Sequence, residues 1–170
     1  MKKVGKYLLG FAIFLVVIQL WRPDHNVSKD RSNEIYKSFQ LPSEVDATLQ
    51  KACFDCHSYN TQYPWYADVQ PVATWLSHHV NEGREELDFS EFSAYSPAKQ
   101  YHKFEEIEEE LEKGDMPLYA YTLMHREAVL TEGEKASVIE WTHNMRNLMK
   151  AKYPADSLVR PVKKGEHHEE

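Results

Sequence analysis

Residues 51–60 read KACFDCHSYN and hold both cysteines of this 170-residue chain. Cys53 and Cys56 are three apart, and His57 follows the second directly. The stretch ahead of them has helical spacing. Pro42-Ser43 opens a helix with Ser43 as N-cap and Asp46 three residues later, and Val45, Leu49, Ala52 or Cys53, and Cys56 recur along one side. Residues 59–71, YNTQYPWYADVQP, are aromatic and punctuated by proline, which predicts a loop or broken helix. Helical spacing resumes over 71–82 through Val72, Trp75 or Leu76, and His79 or Val80, and residues 82–97 connect it to the next element.

Further out the same period dominates. Pro97 to Lys113 reads as a helix with Tyr101, Phe104, Ile107 and Leu111 on one side, stopped by Gly114. Residues 114–130, GDMPLYAYTLMHREAVL, are irregular. Thr131-Glu132-Gly133-Glu134 is a capping box for a last helix that runs to about Met149, with Val138, Trp141, Met145 and Leu148 as its stripe. Met124, Met145 and Met149 suit core positions. No segment alternates with period two, so the class is all-α. Pro154 is expected to end the ordered chain, leaving a charged tail that includes His167 and His168.

The composition is that of a globular protein, 42% hydrophobic and 28% charged. A formal net charge of −7 argues against nucleic acid, because phosphate binding needs clustered Lys and Arg. Residues 82–115 carry the acidity, with twelve Asp or Glu against four Lys or Arg. Such a run is a solvated helix face or a surface that steers basic redox partners. At the N-terminus, Lys2, Lys3 and Lys6 precede the uncharged run Tyr7–Trp21. Residues 1–22 are expected to be an uncleaved single-pass transmembrane helix. A signal peptide is the rival, although QLWRPDHN offers no small-x-small cleavage site. Lysines before the segment put its start in the cytoplasm and the rest on the periplasmic side of the inner membrane. The expected division is an anchor over 1–22, a tether over 23–40, a domain over 41–152 and a tail over 153–170.

Four chemistries compete for the cysteines. A disulfide across three residues closes too small a loop to remove much chain entropy. A thioredoxin-like pair belongs beside a βαβ pattern, and none is visible. Zinc lacks a fourth corner, and consecutive ligands at 56 and 57 strain a tetrahedral site. Covalent haem attachment at C-x-x-C-H fits. Two thiols on one helical turn can reach the two vinyl groups of a porphyrin, and His57 can turn its imidazole to the iron. Met116, in the Gly-Asp-Met-Pro turn off the helical stripes, is the preferred sixth ligand, with His79 and His125 as rivals. Tyr63, Trp65, Tyr66 and Trp75 are candidate walls of a haem pocket.

The stretches CFDCHSYNTQYPWYADVQPVATWLSHHVNEGREELDFSEF, KGDMP and LMHREAVLTEGEKASVIEW resemble the bacterial haem-binding domain family, over roughly residues 20–150. The resemblance implies a small membrane-anchored c-type cytochrome module: a cytochrome c-like helical bundle around one haem c. Cys53 and Cys56 would carry the thioethers, His57 would be the proximal ligand and Met116 the distal one. Leu118 departs from the second proline or small residue expected after Met-Pro. Arg84 and Arg126 are candidates to pair with a haem propionate. The expected function is electron transfer by a monohaem cytochrome rather than enzymatic catalysis. The alternative is a haem peroxidase or a gas sensor with a displaceable sixth ligand.

Overall fold

The computed structural model describes residues 2–160. Every regular element among them is helical, as the all-α expectation requires. The chain forms two units. One comprises the residues up to Asp30 together with Phe54–Asp88; the other comprises Arg31–Cys53 and the chain from Phe89 onward.

The first unit begins with helix α1, Lys2–Ile18. Its apolar side chains, from Val4 to Val17, are exposed on every side of the helix. At about 1.5 Å per residue it reaches about 25 Å, short of a hydrocarbon core of about 30 Å. None of the helices among the described residues is long and apolar enough to cross a membrane, so the expected transmembrane helix is not found. Helix α3, Phe54–His57, carries the second cysteine and the histidine, and α4 is Val72–Glu86. Between them lies a 3-10 turn over Trp65–Asp68.

The buried face of α4 follows the expected stripe in part, through the half-buried Leu76 and the buried Val80. Ala73 and Val80 are buried, whereas Val72 and Trp75 face outward.

The second unit contains α2, Ser43–Ala52; α5, Pro97–Lys113; α6, Tyr119–Met124; and α7, Glu132–Lys152. Aromatic rings fill its core. Phe104 meets Phe39, Phe92 and Trp141 at ring-centroid distances of 4.9, 5.0 and 5.4 Å. The Trp141 indole N–H is satisfied by the Gln40 carbonyl at 3.1 Å. Helix α5 has the expected bounds, capped by Ser96 at its start and by Gly114 at φ 78° at its end. Helix α7 has the expected capping box, and Lys51 on α2 reaches Glu134 at 2.5 Å. That ion pair and the Thr131 N–H hold the Glu134 carboxyl down at about 2.

Several expectations need correction. Pro42, not Ser43, occupies the N-cap of α2, and no side chain caps that helix. Leu148 is exposed, and the inner face of α7 passes instead through Val138, Trp141, Thr142 and Met149. Met124 is exposed rather than core. Residues 114–130 are more regular than expected, with α6 and a 3-10 turn at Arg126–Ala128. Order passes Pro154 into a turn over Ala155–Leu158, because Leu158 is buried; residues 161–170, with His167 and His168, lie outside the described chain. The stretch 23–40 holds one 3-10 turn, Ile35–Lys37. Its second half contributes the fully buried Ile35, whose N–H donates to the Phe89 carbonyl at 2.9 Å, and its first half is bonded into the first unit.

Candidate functional site

The two cysteines flank the break between α2 and α3. Cys53 ends α2, its N–H donating to the Leu49 carbonyl at 2.9 Å. Both cysteines are half-buried and are not joined in a disulfide. The turn after the motif is fixed by its own polar groups. The Ser58 hydroxyl donates to the Phe54 carbonyl at 2.8 Å, Thr61 Oγ1 donates to the Asp55 carbonyl at 2.6 Å, and the Gln62 N–H donates to the Asp55 carboxylate at 2.8 Å.

His57 is oriented by the end of α4. Its Nδ1 lies 2.7 Å from the Gly83 carbonyl and 2.9 Å from the Leu87 carbonyl. Both partners can only accept, so Nδ1 carries the proton and the imidazole lone pair lies on Nε2. The Gly83 carbonyl also accepts the Leu87 N–H at 2.9 Å, whereas the Leu87 carbonyl lies just past the end of α4, where carbonyls lack intrahelical donors. A ligand imidazole is commonly held this way, with its outer N–H on a carbonyl.

Gly83 makes the approach possible. A Cβ there would stand 2.9 Å from the Cys56 carbonyl oxygen and 3.2 Å from the Cys56 Cβ. Only a residue without a side chain lets α3 lie this close to α4.

The thiol chemistry points the same way. Burial, and then the Asp55 charge, push the Cys56 thiol up to about 11. A protonated thiol is a poor nucleophile and a poor metal ligand. Among the described residues no group of three or more His, Cys, Asp or Glu could hold a metal ion.

A family model, the haem-binding domain, matches residues 13–144. The chain belongs to the haem-binding domain family. No curated protein and no solved structure matches it. The match starts within α1 and ends within α7, so it covers parts of both units. The donor set fits haem: an imidazole whose lone pair is on Nε2, fixed in orientation, beside two thiols on adjoining turns.

The other candidate residues of this haem-binding domain are placed as follows. The Tyr63 hydroxyl accepts the Asn26 N–H at 2.8 Å, and its ring stacks on His25 at 3.9 Å. Trp65 is 82% exposed, packed edge-on against Tyr66 at 5.8 Å. Trp75 is half-exposed, with its ring 4.3 Å from that of His79. Met116 follows α5 in the second unit, its N–H 3.4 Å from the Glu110 carbonyl. Of the histidine rivals, His79 Nδ1 bonds the Trp75 carbonyl at 3.0 Å, and His125 stacks on Tyr121 at 4.4 Å. Arg84 is already engaged by Asp88 at 2.9 Å, by Asn26, and by the Tyr59 ring at 4.0 Å.

Sequence reasoning missed Gly83 and the Leu87 carbonyl. Gly83 was expected in the connection over 82–97, whereas α4 runs on to Glu86 and takes it in. Nothing in the sequence marks one main-chain carbonyl out from another.

Proposed function

We propose that this protein is a monohaem c-type cytochrome that transfers electrons on the periplasmic side of the inner membrane. Cys53 and Cys56 hold the haem as thioethers, and His57 binds the iron through Nε2. Met116 is the sixth ligand. The observation that carries the reading is the Nδ1–H of His57 fixed on the Gly83 and Leu87 carbonyls beside two unbridged thiols. Haem supplies an iron that cycles between two oxidation states, and Met/His ligation raises its potential into the range useful for electron transfer.

The chain's own residues orient and tune. The two carbonyls fix the tautomer of His57 and raise its basicity. Gly83 lets the motif turn reach them. The exposed apolar α1 supports attachment to a membrane by insertion. The acidic residues of 82–115 support docking of basic redox partners; 82–88 belong to the first unit and 89–115 to the second. Part of that acidity is spent internally, since Arg146 binds Glu105 at 2.5 Å and Glu108 at 2.9 Å.

Ferric and ferrous spectra with carbon monoxide and peroxide test the transfer role. A six-coordinate low-spin spectrum indifferent to both is expected. Prompt binding of either would overturn it in favour of a peroxidase or a sensor.

A further inference from the structure

The chain leaving α1 is fastened to the unit that carries the motif. The Gln19 carboxamide pairs reciprocally with the main chain of Gln70: Oε1 accepts its N–H at 2.9 Å and Nε2 donates to its carbonyl at 3.2 Å. The Gln70 side chain, itself buried, returns a bond to the Trp21 carbonyl at 2.6 Å. Asn26 then bonds Tyr63 at 2.8 Å and Asn81 at 3.0 Å. These bonds fix the segment around Gln70 beside the last turn of α1.

The side chains around that joint are apolar and exposed. Leu20 is 87% exposed, Trp21 77% and Trp65 82%, and Val69 and Val72 on either side of Gln70 are also open. Indoles turned out to water at a helix end are costly there and favourable at a membrane surface, where the ring is half in apolar surroundings and the N–H meets headgroups. The patch continues an apolar helix that is itself exposed on all sides. The polar side chain of Gln19, in the turn just past α1, is spent on internal bonds.

We propose that this joint is a lipid-contacting foot: Leu20, Trp21, Trp65, Val69 and Val72 rest in the boundary between headgroups and acyl chains of a bilayer. The motif-bearing unit is thereby docked on the membrane rather than swinging from it. The inference rests on the membrane attachment proposed above and adds to it a surface outside α1. It also reassigns Trp65 from a pocket wall to lipid.

Site-directed spin labelling of the full-length holoprotein tests this. Nitroxide is placed singly by Trp65→Cys, Val69→Cys and, as a solvent control, Glu82→Cys. The protein is reconstituted into vesicles of phosphatidylcholine and phosphatidylglycerol. Collision with oxygen is expected to rise severalfold, and collision with a neutral water-soluble nickel chelate to fall severalfold, at positions 65 and 69 when lipid replaces detergent-free buffer. Position 82 is expected to change in neither. If the protein floats with the vesicles but 65 and 69 stay as nickel-accessible as 82, the foot is wrong and the attachment stands. A label at 65 hidden from both reagents with and without lipid also overturns it, returning Trp65 to a protein pocket. A protein that does not float at all overturns both readings. Unsubstituted holoprotein takes up no label if Cys53 and Cys56 are thioethers, so labelling of that control marks failure of the haem linkage instead.

Discussion

Replacing Gly83 by alanine tests how the motif turn is held. The new methyl would lie 2.9 Å from the Cys56 carbonyl oxygen, 3.2 Å from its Cβ and 3.4 Å from its carbonyl carbon. These are backbone and near-backbone atoms, so no flexible side chain can swing away. Overpacking of this kind costs about 1–3 kcal/mol. Moving Cys56 also draws His57 away from carbonyls now at 2.7 and 2.9 Å. Stretching such a bond beyond about 3.2 Å forfeits much of a net value of about 1 kcal/mol. Against these stands the intrinsic gain of alanine over glycine in a helix, about 1 kcal/mol. The balance is a destabilisation of about 1–3 kcal/mol. Urea unfolding of the apoprotein measures it, with Gly133→Ala as control. At Gly133 the nearest atom to a new Cβ is Thr131 Oγ1 at 4.0 Å, so only the propensity gain applies. The reduction potential gives a second readout. A weaker Nδ1–H bond makes His57 less basic and stabilises ferric iron less, so the potential rises. A Gly83→Ala protein as stable as the Gly133→Ala control, with an unchanged potential, would refute the close-packing account.

Three further outcomes follow from other parts of the structure. Met116→Ala should keep its haem but lose the low-spin spectrum and bind carbon monoxide; an unchanged spectrum would transfer the sixth position to a residue such as His79 or His125. Glu134 has its carboxyl lowered from 4.5 to about 2, so its contribution is complete above about 4.5 and is lost as pH falls toward about 2. Glu134→Gln should therefore flatten the acid limb of a stability–pH curve, and an identical acid limb in the two proteins would contradict the assignment. The Cys56 thiol is raised from 9.0 to about 11 in the apoprotein, so the folded state holds its proton longer than the unfolded chain. Apoprotein stability should fall between about pH 9 and about pH 11, and Cys56→Ala should lessen that fall; thiolate absorbance from Cys56 below about pH 9 would count against it.

The helical period carried the architecture well where an element has its own caps. Ser96, Pro97 and Gly114 bound α5, and Thr131 with Glu134 opens α7, because these signals act within a few residues of themselves. Periodicity failed where tertiary approach decides the face. On α4, Val72 and Trp75 point outward while Ala73 and Val80 are buried, and Gly83 takes the place where the backbone of Cys56 comes close. The polar stretch 23–40 looked unattached because its bonds run to partners far along the chain, such as Asn26 to Tyr63 and Ile35 to Phe89. In the candidate site, Cys53, Cys56 and His57 were legible because the chemistry needs them at adjacent positions. The carbonyl anchors of His57 were not, since every residue supplies the same group.

Whether a porphyrin is joined to this chain is read most directly from the intact mass of the full protein, expressed with a haem-attachment system and denatured before measurement. The expected result is the polypeptide plus one haem, with the Cys53→Ala, Cys56→Ala double variant at the polypeptide mass alone. An unsubstituted protein that emerges without the added mass would contradict the account at its root.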